Sequence, residues 1–418
     1  MYPNLRGTVA AVLIAATSAL GAACSSSGSN SSPVTQRDAG GHVDATSDAA
    51  DTSADTGPHQ DATAESGSPD TGADAAPPDS SPVDAPTDAP SDAGSVLAQL
   101  GACLGMSQPV TVSGQMPYVS VPVGTLSGEF VLDFASTFSS IDLKAFASTP
   151  VTMNCDPTML WQICTVPGFA FFGPAASVTL TTEDFSGFSG PLRQAGIVGT
   201  DFLSENVFTV AYGAGLAFAG TSTGFCSNAA MAQAGFAPLS TAGFYENDLT
   251  KLKPFASVDS AASGGSTVPD VPTVPVQIAG VAAIAQLDTG FDDSVTKFSL
   301  NINEAFLLAI QAQAPSALVR DSSLDESLTT CVNGVSEPVL GYRLAASAAL
   351  GFVDQTGTVA RSYPNAVIFV KDTPDAAQTC GGIGTWTVPA AQVAASYFVD
   401  MGILAFDPFH ETVWIPTH

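Results

Sequence analysis

The 418-residue sequence predicts a mostly β protein built from two similar halves behind a long arm with no core of its own. Three observations carry this. From about residue 98 onward, short apolar runs are punctuated by Gly, Pro and Ser, the pattern of strands joined by turns. Helical spacing is sparse, and its clearest case is "NINEAFLLAIQAQA", with Asn301 or Asn303 as the cap and Pro315 as the stop. A strand–turn–strand unit ending on aspartate also occurs twice, as "VPVGTLSGEFVLD" closing on Asp133 and "VPVQIAGVAAIAQLD" closing on Asp288.

Taken in order, residues 1–23 carry Arg6 as their only charged side chain and continue through "GTVAAVLIAATSALGAA", too short and too small-residued for a stable membrane span. This is the pattern of an export signal. Cys24 directly after "LGAA" resembles the lipobox of bacterial lipoproteins, in which that cysteine is lipidated, although Leu20 stands four residues before it where that pattern prefers three. Ordinary cleavage after Ala23 is the alternative. The first reading implies a bacterial cell-envelope protein, an outer-membrane lipoprotein or a cell-surface one; the second implies a secreted one.

Residues 24–97 form an Asp/Ala/Ser/Pro-rich stalk without an aromatic residue. They have almost nothing to bury against the entropy of ordering, and their acidic side chains repel one another, so an extended, disordered arm is expected. The whole chain has a formal net charge of −28, which argues against nucleic acid and anionic membrane surfaces as partners. Any membrane contact is expected only through the N-terminal lipid, and the protein is expected to be monomeric.

The remainder divides into 98–256, a linker at 257–272 ("SVDSAASGGSTVPDVP"), and 273–418. The first half holds the strand candidates "PYVSVPV", "EFVLDF", "SVTLTT", "NVFTVAY" and "LAFAG"; the second holds "TVPVQIAG", "NAVIFVKD" and "ETVWIP". Each aspartate is followed later by an apolar-apolar-small step and a strand, in "AGIVGTDFLSENVFTVAY" and "QVAASYFVDMGILAFD". Two such halves facing each other would bring Asp133 and Asp288 to a common seam.

Six cysteines lie in this region: Cys103, Cys155, Cys164, Cys226, Cys331 and Cys380. An even number in an exported chain reads as three disulfides with the connectivity open. There is no Cys-x-x-Cys pair, and His410 and His418 are the only histidines here, so zinc and a His-based hydrolase are both disfavoured. Carboxylates remain as the chemistry. No cofactor or metal is expected, and Asp292 and Asp293 in "FDDS" read as a solvated turn.

From about residue 110 onward the chain resembles the bilobed, pepsin-type aspartic peptidases, with a retropepsin-like flavour in "GIVGTDFL". The resemblance rests on Asp288-Thr289-Gly290, on the matching strand-Asp unit at Asp133, and on "ILAFDPFHETVWIP", which is similar to that family's closing strands. It implies a two-lobed pepsin-like fold, Asp133 and Asp288 as an acid–base dyad, and Ser136, Thr289, Gly290 and Gly199 as supports. It also implies the disulfides 155–164, 331–380 and, for the remaining two cysteines, 103–226. A polypeptide substrate or peptide ligand would lie in the cleft.

Against that pattern, Phe134 stands for the usual Thr, Ala135 for Gly, Phe291 for the bracing Ser or Thr, and Ala395 for the second psi-loop Gly. Phe134 cannot make the cross-lobe hydroxyl bond, and an orphaned buried partner would cost roughly 1–3 kcal/mol unless the loop rearranges. Ala135 would add strain if its backbone lay at positive φ. No tyrosine occurs between 134 and 196 to serve as a covering flap; "TVPGFAFFGPAA" and "FSGFSGP" are the Gly-tipped candidates, with Trp161 or Phe171 as covering aromatics. The functions in view are therefore an aspartic endopeptidase, a catalytically silent relative that binds a peptide or envelope partner in its cleft, and a structural display module.

Overall fold

The computed structural model describes residues 93–136, 138–146, 154–156, 163–187, 192–241, 271–291, 296–330, 332, 334–380 and 382–417. The expected signal and stalk, Cys24, residues 257–270 of the linker, Trp161, Asp292, Asp293 and Cys331, and with it the expected Cys331–Cys380 pairing, lie outside them. Among the described residues no helix is long and apolar enough to cross a membrane.

The first half contains α1 (Ala93–Leu100) and strands β1 (Met106–Pro109), β2 (Thr111–Ser113), β3 (Met116–Val123), β4 (Leu126–Leu132), β5 (Ser140–Ile141), β6 (Asn154–Asp156), β7 (Ile163–Phe169), β8 (Ala176–Thr182) and β9 (Gln194–Val198). Then come α2 (Thr200–Leu203), β10 (Val207–Ala211), β11 (Leu216–Gly220), α3 (Asn228–Gln233) and β12 (Phe236–Ser240). The second half runs through β13 (Thr273–Ile278), β14 (Val281–Leu287), β15 (Ser299–Asn303), α4 (Glu304–Gln313), β16 (Leu318–Arg320), β17 (Glu326–Thr329) and β18 (Ser336–Leu344). It ends with β19 (Leu350–Val353), β20 (Val359–Tyr363), β21 (Val367–Lys371), β22 (Ala390–Val393), α5 (Ala395–Met401), β23 (Ile403–Asp407) and β24 (Thr412–Pro416).

The fold is mostly β and two-lobed, and the lobes share one wiring. In lobe one, β4 lies parallel to β9, β9 antiparallel to β5, and β5 parallel to β8. In lobe two, β14 lies parallel to β22, β22 antiparallel to β15, and β15 parallel to β21. Each aspartate therefore leaves a strand whose parallel neighbour comes from much later in its own half. Lobe one closes into a barrel, β3–β4–β9–β5–β8–β7, through Val123 opposite Phe169, while the ten-stranded sheet of lobe two curls without that closure.

A third sheet, β1-β11-β10-β23-β24-β12, draws strands from both halves. Its centre is the antiparallel pair β10–β23, with Val210 opposite Leu404. These strands are fully buried because one face, with Phe208, Val210, Leu404 and Phe406, packs into the main core and the other, with Ala211, Ile403 and Ala405, packs against Leu100, Met231 and Trp414, so "NVFTVAY" and "ILAFD" read as continuous apolar runs rather than alternating ones. The periodic stretch near residue 304 forms α4, and the cap is Asn303, whose side chain accepts from Phe306 N at 3.0 Å; Asn301 stays in the strand before it.

Among the described residues two disulfides are present, Cys103–Cys226 and Cys155–Cys164. The first ties the segment after α1 to the segment before α3, and the second joins directly opposed residues of β6 and β7. The hairpin tip in "TVPGFAFFGPAA" does not reach out as a cover. Phe171 stacks on Phe208 of β10 at 5.5 Å and 10° between ring planes, and Phe172 meets the same ring edge-on. Burying those rings offers more than exposing them would, about 2 kcal/mol each. In "FSGFSGP" Phe185 is buried in a small cluster with Tyr118, Val131 and Ile197.

Candidate active site

Asp133 follows β4 and Asp288 follows β14, and the parallel neighbour fixes each one in the same way. Asp133 N donates to Val198 O at 3.0 Å, and Asp288 N to Val393 O at 3.0 Å. Both carboxyls are buried, and they share a hydrogen bond with each other. Ala135 N donates to Asp133 Oδ1 at 2.8 Å and Gly290 N to Asp288 Oδ1 at 3.0 Å; Gly290 N also serves Asp133 across the seam. A side chain at position 290 would not fit, because a Cβ there would lie 2.6 Å from Asp133 Cγ.

Thr289 stitches the lobes together. Its Oγ1 donates to Leu132 O at 2.7 Å and accepts from Phe134 N at 3.0 Å, so one hydroxyl satisfies a buried carbonyl and a buried N–H of the other lobe. The reciprocal hydroxyl is missing because Phe134 stands in its place. Its ring instead packs edge-on against Phe406 of β23, with centroids 5.3 Å apart. The Phe134 backbone is thus paired while its side chain contributes apolar contact between lobes. Ala135 lies outside the positive-φ region, so it carries none of the backbone strain considered for it.

Two points differ from the resemblance. Ser136 does not brace Asp133 with its hydroxyl, which donates to Phe138 O at 2.8 Å; only its backbone N–H helps hold the Asp133 carboxyl. The counterpart of Gly199 is Ala394 rather than Ala395. Thr200 N donates to Ser136 O at 2.8 Å and Ala395 N to Phe291 O at 2.9 Å, and this aligns Thr200 with Ala395 and the residues before them. Gly199 itself sits where a Cβ would meet Ser136 O at 2.6 Å, so the loop after Asp133 is packed against bare backbone.

Burial pushes the Asp133 carboxyl up to about 6, against the backbone N–H groups of Ala135, Gly290 and Ser136, which favour its ionised form. Asp288 is pushed well above the ordinary carboxylate range, by burial first and the charge of Asp133 second. Two buried carboxyls sharing a hydrogen bond cannot both ionise near neutrality and so retain a proton between them. One member can accept a proton while its partner donates a hydrogen bond. That is the equipment of general acid–base catalysis without a covalent intermediate.

No family model and no curated protein matches the chain. Among solved structures it is similar to a retropepsin-like aspartic protease from Rickettsia conorii, at 8% identity over 28% of this chain and 88% of that chain, with a TM-score of 0.21.

Several groups around the pair escaped the sequence reading. Asp201, at the start of α2, accepts from Ser139 N at 3.0 Å and Ser139 Oγ at 2.6 Å, and Ser139 Oγ in turn accepts from Gly199 N at 2.9 Å. This network clamps the loop after Asp133 to the turn after β9, and burial pushes Asp201 up to about 6. Glu183, just past β8, is raised by burial and further by the charge of Asp133, while its Oε2 accepts from Ser140 Oγ. Tyr212, at the end of β10, is buried, and its hydroxyl has no hydrogen-bond partner among the described residues. Gln392 donates from Nε2 to Asp288 Oδ2 at 2.6 Å. "GTDFL" was the one visible signal among these, as an acid beside a retained Gly.

Proposed function

We propose that this protein is an exported aspartic-type endopeptidase that hydrolyses polypeptides between its lobes, with Asp133 and Asp288 as the acid–base pair. The observation that supports this best is the hydrogen bond between two buried carboxyls contributed by equivalent positions of the two lobes. The ionised member takes a proton from a water, whose oxygen attacks the scissile carbonyl carbon. The protonated member hydrogen-bonds the carbonyl oxygen as negative charge develops there, and proton return to the nitrogen releases the amine. Thr289 ties the turn after Asp288 to the backbone beside Asp133, and Gly290 leaves the room that the Asp133 carboxyl occupies.

In this reading the signal at 1–23 and lipidated Cys24 place the chain at the cell envelope, with 24–97 as the tether. Two disulfides are compatible with such an oxidising site. The test is digestion of a denatured protein from pH 3 to 6, with and without pepstatin, by wild type and Asp288→Asn. Cleavage that disappears in the variant supports the proposal, and cleavage that persists removes the dyad from it. Phe134 and Ala135 favour a second reading, a silent relative that holds a peptide in the cleft. Absence of cleavage across the range, together with saturable peptide binding, would select it.

A further inference from the structure

Asp288 is held by something the resemblance does not supply. In the parallel register of β14 and β22, Gln286 lies opposite Gln392. Gln392 therefore shares a face with residue 286 and sits diagonally beside Asp288, two positions on. Across the other edge of β22, Asn301 of β15 lies opposite Gln392. All three side chains are buried. Asn301 Nδ2 donates to Gln392 Oε1 at 2.9 Å, and Gln392 Nε2 donates to Asp288 Oδ2 at 2.6 Å. When Asp288 is ionised this order is the one that satisfies the site, since a reversed Gln392 amide would set its oxygen against a carboxylate oxygen.

We infer that Gln392 is a positioning residue of the Asp133/Asp288 pair: its N–H, aimed by Asn301, occupies Asp288 Oδ2 and confines the shared proton to the oxygens facing the seam. This rests on reading the two aspartates as the reacting pair. Phe291, the residue where the resemblance puts a bracing hydroxyl, has none to offer, and Gln392 brings a donor to the same carboxyl from a neighbouring strand. Lobe one has no counterpart. The residue before Val198, equivalent by the Asp N–H to carbonyl bond, is Ile197. The brace therefore acts on one aspartate alone and makes the pair chemically unequal.

The other charges acting here are Asp133, which faces Asp288, and Lys371 of β21, whose cation favours the ionised Asp288; Glu183 acts on Asp133 from the end of β8. A donor to a carboxylate lowers its proton affinity, so removing this one raises the affinity of the pair. The experiment is carboxyl 13C NMR of the full chain labelled at aspartate, titrated from pH 3 to 9, with Asp288→Asn identifying the resonance. Gln392→Met is expected to move the midpoint upward by roughly one to two units. Asn301→Leu, which frees the amide to turn away, is expected to give a smaller shift of the same sign.

Superposable titrations of wild type and a folded Gln392→Met would overturn the inference, because a residue that only fills space changes the melting temperature and leaves the midpoints in place. Should Gln392→Met not fold, Asn301→Leu decides: an upward shift supports the role and an unmoved midpoint removes it. The readout needs no turnover. A shifted titration in a protein that cleaves nothing would leave Gln392 in this role and discard the peptidase reading.

Discussion

Thr289 shows how much one hydroxyl can carry at a lobe seam. Replacing it with isosteric Val leaves Leu132 O and Phe134 N buried and unpaired, which is expected to cost about 2–4 kcal/mol and to be read as a lower melting temperature. Gly290→Ala is a sharper probe of geometry. Its added carbon is directed at Asp133 Cγ, so peptide cleavage should fall by two orders of magnitude or more while the fold's circular dichroism persists. At this scale the sequence was legible where the signal was local: an aspartate ending a strand, twice, with Thr289 and Gly290 beside the second. Gln392 and Asp201 were not legible, because their partners lie 104 and 62 residues away and nothing in "AAQVAA" or "GTDFL" names those partners. Phe134 was visible as a departure, yet its contact with Phe406 depends on a strand from the other half.

Among elements, the wiring of each lobe follows from the strand that returns parallel to the one bearing the aspartate. That strand is continuous apolar sequence, "AGIV" in one lobe, and its burial on both faces is why alternation is absent there. The repeat in the sequence therefore marked real elements, while the pairings between them had to come from the fold. The small hairpin around "TVPGFAFFGPAA" was harder to read, since Gly-tipped hairpins at a cleft and Gly-tipped hairpins over a core have the same composition. Aromatic contacts with Phe208 settle it. The two disulfides are unequal by loop length. Cys103–Cys226 closes 123 residues and Cys155–Cys164 closes 9. Replacing the first pair by Ala should cost roughly 4–5 kcal/mol and the second roughly 2–3, provided the native fold tolerates each equally. Denaturant midpoints of the two double-alanine variants check the ranking, which reverses if the short hairpin bridge contributes more.

For the whole molecule, buried acids set the pH dependence. Asp133 and Asp201 each rise from 3.8 to about 6 in the folded state, and Glu183 and Asp288 also rise. A carboxyl with a raised folded pKa binds its proton more tightly when native, so its favourable contribution is complete below about pH 4 and is lost as pH climbs through about 6. Asp321, Asp325 and Asp354 shift the other way but lie at the surface, partly or fully exposed, so screening leaves them little weight. The protein should melt at a higher temperature at pH 4 than at pH 7. Asp201→Asn should flatten that difference by about 2–3 kcal/mol, and a parent that melts higher at pH 7 than at pH 4 would contradict the assignment. The strong overall negative charge acts in the same direction, since self-repulsion grows as the remaining acids ionise.

The six-stranded sheet places a timetable on the chain. Strand β12, though it belongs to the first half, has its only ladder among the described strands with β24 of the second, all five residues of which pair with it. Likewise β10 waits for β23 along one edge. A nascent chain emerging N-terminus first cannot finish its first half early and move on to the second. It must carry open strand edges until the ribosome reaches Pro416, and those edges stay available to wrong partners for all of that time.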